Sequence, residues 1–259
     1  SKKRKHVEAL PLLRSAYNQM VAHGGMQGVQ IETLLSMIVS ARFAKSEELL
    51  ALFAEFYELY PTVQDNPLGK ADFAYVMYMQ LDHARLNGFD KNDLAKNSER
   101  FIKQVEAAEE IPEDWLHFYR GFHGKALRAA GRYAQALPYL QAAHEYWVAS
   151  NRINYDFYVN AVNYIAVLRR EQGTEAALAA VEQVIALAEQ FGASDHSLAT
   201  FVLQKGVYLD NLKMAGAQAQ YRKGYAIARR SMEADASVVQ KLKARIDTND
   251  AGFADFELA

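Results

Sequence analysis

Cysteine is absent from the 259 residues of this sequence, which excludes disulfide bonds, thiolate metal ligands and cysteine nucleophiles. An excess of either charge is also absent, because 29 Lys and Arg stand against 31 Asp and Glu. That balance argues against the basic surface that non-specific nucleic-acid binding needs. No apolar run approaches the roughly 20 residues that span a bilayer. We therefore expect a cytoplasmic protein with neither a membrane nor a nucleic acid as its partner.

Catalytic and metal-binding motifs are missing as well. The sequence contains no GxSxG, GxGxxG or GxxxxGK[ST] pattern, and the HEYW stretch at His144 does not continue into HExxH. None of the seven histidines has another histidine four residues away, the spacing that presents two metal ligands from one helix face. The sequence therefore predicts a protein that is not an enzyme and has no cofactor and no metal.

Evenly spaced turn signals are the main positive feature of the sequence. Their central small residues are Ala44, Gly88, Gly131, Gly173 and Gly216, at intervals of 44, 43, 42 and 43 residues. Apolar residues recur between these marks at three- and four-residue spacing, and no run alternates apolar and polar residues as a strand would. A regular period of this kind is typical of stacked helical hairpins.

Each interval divides into two predicted helices. Those before the marks are predicted at 30–43, 71–87, 113–130, 155–172 and 196–215, and those after the marks at 46–60, 93–109, 133–149, 175–191 and 217–232. The ALPxL segment at residues 9–13 repeats at 136–140, so a helix at 7–22 corresponds to the second helix of a pair, and both prolines are expected early in their helices.

The resulting fold prediction is all-α: a right-handed α-solenoid of about five antiparallel helix pairs with an extra helix at each end. We divide it into an N-terminal capping helix at 1–25, a repeat array at 26–234, and a C-terminal helix and tail at 235–259.

One interval carries a family resemblance. Gly131 at the turn is followed by Tyr133, Ala136 and Ala143, and Gly124 precedes it by seven residues. This pattern resembles the tetratricopeptide repeat, including the divergent arrays of bacterial regulatory and sensor domains. The other intervals match only in part, and the period exceeds the 34 residues typical of the family. The resemblance implies a partner-binding solenoid whose first helices line a concave groove.

Under that family geometry, the third residue before each of four marks is a cation that points into the groove. Further groove positions carry aromatic, amide and basic side chains. The candidate binding residues are Arg85, Arg128, Arg170, Lys213, Asn160, Asn163, Tyr164, Lys125, Tyr78 and Phe122. Cations bind carboxylates and asparagine amides bind peptide backbone. The same four cations are also explained by favourable interaction with helix C-termini, so both interpretations stay open.

The predicted function is a non-catalytic scaffold or regulatory module that binds a protein or peptide segment, acidic or not, in its groove. The alternative is a ligand-sensing or oligomerising domain, in which a homodimer is one arrangement, of a larger signalling protein. Its effector domain, a cyclase, kinase or transcription regulator, would lie outside this sequence, which begins without Met.

Overall fold

The computed structural model describes residues 2–24, 26–64, 66 and 68–248. Within these ranges every regular element is a helix, and there is no strand. The helices are α1 (Lys2–Ala22), α2 (Gln27–Ala44), α3 (Leu49–Leu59), α4 (Lys70–Leu86), α5 (Lys91–Glu106), α6 (Glu113–Ala129), α7 (Tyr133–Ala149), α8 (Tyr155–Gln172), α9 (Thr174–Phe191), α10 (Asp195–Asn211), α11 (Ala217–Ala228) and α12 (Ser237–Thr248), with a short 3-10 turn at Tyr60–Thr62. Consecutive helices pack on one another from α1 to α5 and from α7 to α12. The predicted all-α class of consecutive helix pairs is thus confirmed.

The turns inside the pairs have left-handed backbone conformation, as the marks predict. All four marked glycines have positive φ, from 75° at Gly131 to 102° at Gly216. Glycine is favoured there because it has no Cβ to clash with the neighbouring carbonyl. The first mark is displaced by one residue: α2 continues through Ala44, and Lys45 takes the left-handed conformation with φ 58°.

Several helix starts follow from side chains that bind the first free backbone amides. The Asp90 carboxylate accepts hydrogen bonds from the amides of Asn92 and Asp93 at 2.9 and 3.0 Å, directly before α5. The Asn154 side chain accepts from the Phe157 amide at 3.0 Å before α8. Such caps satisfy donors that have no partner within the helix, so the sequence fixes where these helices begin.

The chain divides into two compact units, residues 1–119 and 120–259. Unit 1 contains α1 to α5 and the first part of α6. Its core combines aliphatic and aromatic side chains, among them Leu34, Met37, Phe53 and Phe56, all at most 1% exposed.

Unit 2 contains the rest of α6 and helices α7 to α12. Several of its helices pack closely against a neighbour at a glycine. A Cβ added to Gly124 would lie 2.6 Å from Leu140 Cγ, and one added to Gly206 would lie 2.5 Å from a ring carbon of Tyr221. These distances are shorter than van der Waals contact, so only glycine allows the helices to approach this closely.

A buried charged cluster connects α12 to the rest of unit 2. Arg245 is 3% exposed, and its guanidinium lies 4.0 Å from the Asp210 carboxylate and 5.9 Å from the Tyr221 ring centroid. The Tyr221 hydroxyl donates a hydrogen bond to the same carboxylate. Burial, together with this bond to Asp210, raises the pKa of Tyr221.

The start of α1 and the end of α10 are among the boundaries that differ from the sequence-based prediction. Helix α1 begins at Lys2 rather than at residue 7, because the basic residues before His6 are good helix formers. Pro11 therefore lies in the helix interior, where the carbonyl four residues before it loses its usual donor. Helix α10 ends at Asn211 rather than at residue 215, since Lys213 adopts left-handed φ of 55°. The predicted tail at 249–259 lies outside the described residues.

Candidate functional site

Four aromatic side chains from α4 and α6 lie together on one face of unit 1. The rings of Tyr75 and Trp115 meet edge to face with centroids 5.3 Å apart, and those of Tyr78 and Phe118 do so at 4.9 Å. Edge-to-face pairs of this kind are favourable beyond the area they bury. Trp115 is 40% exposed and the other three rings are half-buried, so the cluster keeps a surface that a ligand can reach.

Tyr119 forms the floor of this cluster. It is 1% exposed, and its ring lies 5.9 Å from Tyr78 and 5.1 Å from Phe101. Burial raises the pKa of Tyr119, and Tyr75 and Tyr78 raise it further. The residue therefore stays a neutral phenol and supports the rings above it.

A charged cluster borders the aromatic rings. The buried carboxylate of Asp82 accepts hydrogen bonds from Arg85 Nε and Nη2 at 3.0 and 2.9 Å, and its other oxygen accepts from Arg42 Nη2. The Arg42 guanidinium also lies 5.9 Å from the ring centroid of Tyr78, within cation–π range. Two cations share one carboxylate here, which leaves one net positive charge beside the rings.

We call this surface the aromatic–arginine face. It comprises Tyr75, Tyr78, Trp115, Phe118, Arg42, Asp82 and Arg85.

Only Tyr78 and Arg85 of this face are among the candidate binding residues. The other members are absent from that list, and for Arg42 and Trp115 the reason is clear. Arg42 stands three residues before Lys45, as Arg85 stands three before Gly88, so it is a further member of the cation series. It was missed because the first turn was assigned to Ala44, the small residue, although the left-handed residue is Lys45. Trp115 lies in the first turn of α6, outside the positions that the family geometry marks as groove-facing.

Eight of the ten candidate binding residues belong to unit 2, and the two asparagines among them are engaged within that unit. Asn163 Oδ1 accepts from Arg128 Nη1 at 3.1 Å, and Asn163 Nδ2 donates to the Val159 carbonyl at 2.7 Å. Asn160 is 7% exposed, and its Nδ2 donates to the Leu140 carbonyl at 3.1 Å. These contacts give both amides a packing role. The expectation that they bind a peptide backbone stays a prediction.

The remaining basic candidates of unit 2 differ among themselves. The Arg170 guanidinium lies 5.3 Å from the ring centroid of Tyr133 and is exposed in the last turn of α8. Lys213 is exposed in the turn that follows α10, not in the last helical turn where the capping interpretation placed it. Lys125 lies half-buried in α6. Among the candidates, the structure brings Arg85 and Tyr78 into one surface, and Arg128 and Asn163 into one hydrogen bond.

Two aromatic candidates of unit 2 serve its core. Phe122 is 7% exposed. Tyr164 stacks on the imidazole of His144 at 4.7 Å, and Phe157 lies 5.3 Å from the same ring. Burial lowers the pKa of His144 to about 4, and Gln183 and Glu145 oppose this shift only in part. His144 is therefore a neutral ring between two aromatic rings at physiological pH.

Neither a metal-binding cluster nor a membrane-spanning helix occurs within the described ranges. These ranges contain no group of three or more His, Asp or Glu side chains placed to hold a metal ion. Among the helices they contain, none combines the length and the hydropathy needed to cross a membrane.

Comparison with known proteins gives a fold and no family. No family model matches the chain, and no curated protein matches its sequence. Among solved structures, the chain is similar to the crystal structure of BtubC (BKLC) from P. vanneervenii, with a TM-score of 0.65, 10% sequence identity, and coverage of 100% of this chain and 96% of that one. At this identity the likeness concerns the fold alone.

Proposed function

We propose that this chain is a non-catalytic binding module that recognises a protein or peptide segment on the aromatic–arginine face. The observation that carries the proposal is the exposed Trp115 ring, held in edge-to-face contact with Tyr75 and Phe118 beside a charged cluster. Tryptophan, tyrosine and arginine are the residues that contribute most to binding energy at protein interfaces. In this face they occur together on three helices, α2, α4 and α6.

The face is also rigid enough to bind without a large entropic cost. The rings contact one another and rest on the buried Tyr119, while Asp82 holds Arg42 and Arg85 by hydrogen bonds. Side chains that are already ordered lose little conformational freedom when a ligand arrives.

The charges define the chemistry of the segment. The side chains of Arg42 and Arg85 are 23% and 27% exposed, and they share the single carboxylate of Asp82. A segment with an apolar or aromatic side chain for the rings and a carboxylate for the two guanidinium groups fits this arrangement. Because the cations are partly screened, we expect the carboxylate to affect specificity and association rate more than affinity.

The experiment is a selection of displayed peptides against the whole chain, followed by affinity measurements on variants. We expect enriched peptides to combine aromatic and acidic residues. Their affinity should fall at least about tenfold with Trp115→Ala, as is usual when a central aromatic contact is removed. The matched control is Tyr155→Ala, which removes an aromatic side chain that is 75% exposed in unit 2.

The outcomes separate the proposal from its rivals. If Trp115→Ala and Tyr75→Ala both keep their helical circular dichroism and both bind the selected peptides with unchanged affinity, the aromatic–arginine face is not the binding site. If binding is lost only with Arg128→Glu and Arg170→Glu, the binding site lies at the candidate cations of unit 2.

We also carry forward two wider proposals. The Gly131 interval supports membership of a divergent tetratricopeptide-like family, and the absence of cysteine fits a cytoplasmic location. Reading the coding sequence on either side of this chain tests the alternative of a domain within a larger signalling protein.

A further inference from the structure

A cavity of about 570 Å³ lies between α3, α4 and α5 in unit 1. It is formed by a different face of α4 from the one that carries Tyr78 and Asp82, because Met77, Leu81 and Ala84 line it. Its volume lies within the range of about 300 to 1,000 Å³ that is common for small-molecule sites. No part of the function proposed above uses it.

The walls of this cavity are mostly apolar, and part of that apolar surface is exposed. Leu50 and Phe89 line it and are 61% and 51% exposed, whereas Leu94, also in the lining, is buried. Large apolar side chains left at the mouth of a concave site mark a surface that becomes covered when a ligand binds.

The polar part of the lining is biased towards one charge. Arg100 is its only Arg or Lys, His83 is its only histidine, and no Asp or Glu lines it. Among the residues that the structure describes, the Arg100 side chain has no hydrogen-bond or ion-pair partner, in contrast to Arg42 and Arg85. The amides of Gln80 and Asn97 also lie along the cavity.

From this combination we propose that the cavity binds a small amphiphilic carboxylate, such as a medium-chain fatty acid. The apolar portion fills the space between Met77, Ala84 and Phe89, and the carboxylate pairs with the Arg100 guanidinium. A carboxylate is favoured over a neutral or cationic head group because the lining offers an unpaired cation and no anion. This inference goes beyond the proposed function and uses a separate set of side chains.

The test is calorimetric titration of the whole chain with dodecanoate, dodecan-1-ol and dodecyltrimethylammonium. We expect dodecanoate to bind with one-to-one stoichiometry, the alcohol to bind more weakly, and the cation to bind weakest. Arg100→Gln should weaken dodecanoate about fivefold, the scale of a partly exposed ion pair, and leave the alcohol unchanged. The matched control, Arg222→Gln, removes an exposed arginine of α11 in unit 2.

A second pair of variants tests the cavity itself. Ala84→Leu places three more carbons within the cavity and should weaken dodecanoate at least about tenfold. Ala179→Leu adds the same atoms at an exposed position of α9 and should have no effect. Should Ala84→Leu lose helical circular dichroism, Met77→Trp serves as the cavity-filling variant.

Three results would overturn the proposal. They are no dodecanoate binding by the unaltered chain, unchanged binding in a folded cavity-filling variant, and equal affinity for acid and alcohol. With the first result, the occupant of the cavity would be a helix of a partner protein or a second copy of this chain. Sedimentation of the chain alone would distinguish these two, because only a second copy gives a dimer. Trp115→Ala should leave dodecanoate binding unchanged, so this test and that of the peptide-binding function can fail separately.

Discussion

The two units solve the same packing problem in different ways. In unit 2 the helices meet at glycines, where Gly124 contacts Leu140, Gly206 contacts Tyr221 and Gly224 contacts Leu242. In unit 1 the sequences of α3, α4 and α5 contain no glycine, and aromatic rings fill the contacts between helices.

The difference bears on where ligands can bind. Helices that approach at glycines can pack closely, as those of unit 2 do. Larger side chains hold helices apart, and in unit 1 they leave both an exposed aromatic surface and a cavity of about 570 Å³. Both binding sites proposed above lie in unit 1, whereas the close glycine contacts lie in unit 2. The predictions below test this contrast, beginning with the largest expected effect.

Gly206→Ala should destabilise the protein by about 3 kcal/mol, at the upper end of the usual cost of overpacking. The added Cβ would lie 2.5 Å from a ring carbon of Tyr221, and that ring cannot move freely because its hydroxyl binds Asp210. Urea unfolding followed by circular dichroism measures the change. A stability equal to or above that of the unaltered chain would show that unit 2 is not closely packed at its glycines, since alanine is otherwise the better helix former.

His144→Phe should change how stability depends on pH. The folded-state pKa is about 4, below the ordinary value of about 6.5, so between these values the unfolded chain binds a proton that the folded chain does not. Stability is therefore retained above pH 6.5 and lost as pH falls towards 4.

We expect the unaltered chain to lose up to about 3 kcal/mol more than His144→Phe between pH 7 and pH 4. Urea unfolding at pH 7, 5.5 and 4 measures this difference, and other groups, including the half-buried Asp156, cancel because both proteins contain them. Parallel pH profiles would contradict a neutral, buried His144.

Asp82→Asn should cost about 2 kcal/mol, less than the loss of a fully buried ion pair because Arg42 and Arg85 are partly exposed. The substitution leaves two cations facing a neutral amide. Adding Arg85→Met should recover part of the loss, and the double-mutant cycle gives the coupling energy. Additive effects would show that the aromatic–arginine face is not held together by charge.

Ala84→Leu should change stability by less than about 1 kcal/mol, because the added carbons enter existing space and leucine is a good helix former. Thermal unfolding of this variant beside Gly206→Ala compares the two units directly. A destabilisation as large as that of Gly206→Ala would mean that the cavity cannot accept additional atoms, and the contrast between the units would no longer hold.

Much of the fold follows from local sequence signals, and the helices of unit 2 illustrate why. Both α7 and α8 begin and end at the predicted residues, because Gly131, Asn154 and Gly173 mark their ends through backbone conformation and capping. Where a non-glycine residue takes the left-handed conformation, as Lys45 and Lys213 do, the sequence carries no comparable signal. At both of these residues the predicted boundary moved.

The site was less accessible to prediction than the fold. The positions counted back from the turn marks identified Arg85 and Tyr78. They did not show that the Asp82 carboxylate binds both Arg85 and Arg42, although Arg42 and Asp82 are 40 residues apart in the sequence. Asn160 and Asn163 were expected to bind a ligand because asparagine is a poor helix former. In the structure both amides donate hydrogen bonds to backbone carbonyls of unit 2, and the sequence does not show which carbonyls lie nearby. Their ligand-binding role stays a prediction. No sequence motif predicts the cavity, because it is the space between three helices.

The buried guanidinium of Arg245 has a practical consequence for shortening this protein. A truncation after residue 232 would remove the countercharge that Asp210 faces across 4.0 Å and would uncover Gly224, against which Leu242 packs. The Asp210 carboxylate and the face of α11 at Gly224 would then be exposed to water. Any minimal version that is to stay monodisperse should therefore retain α12 in full.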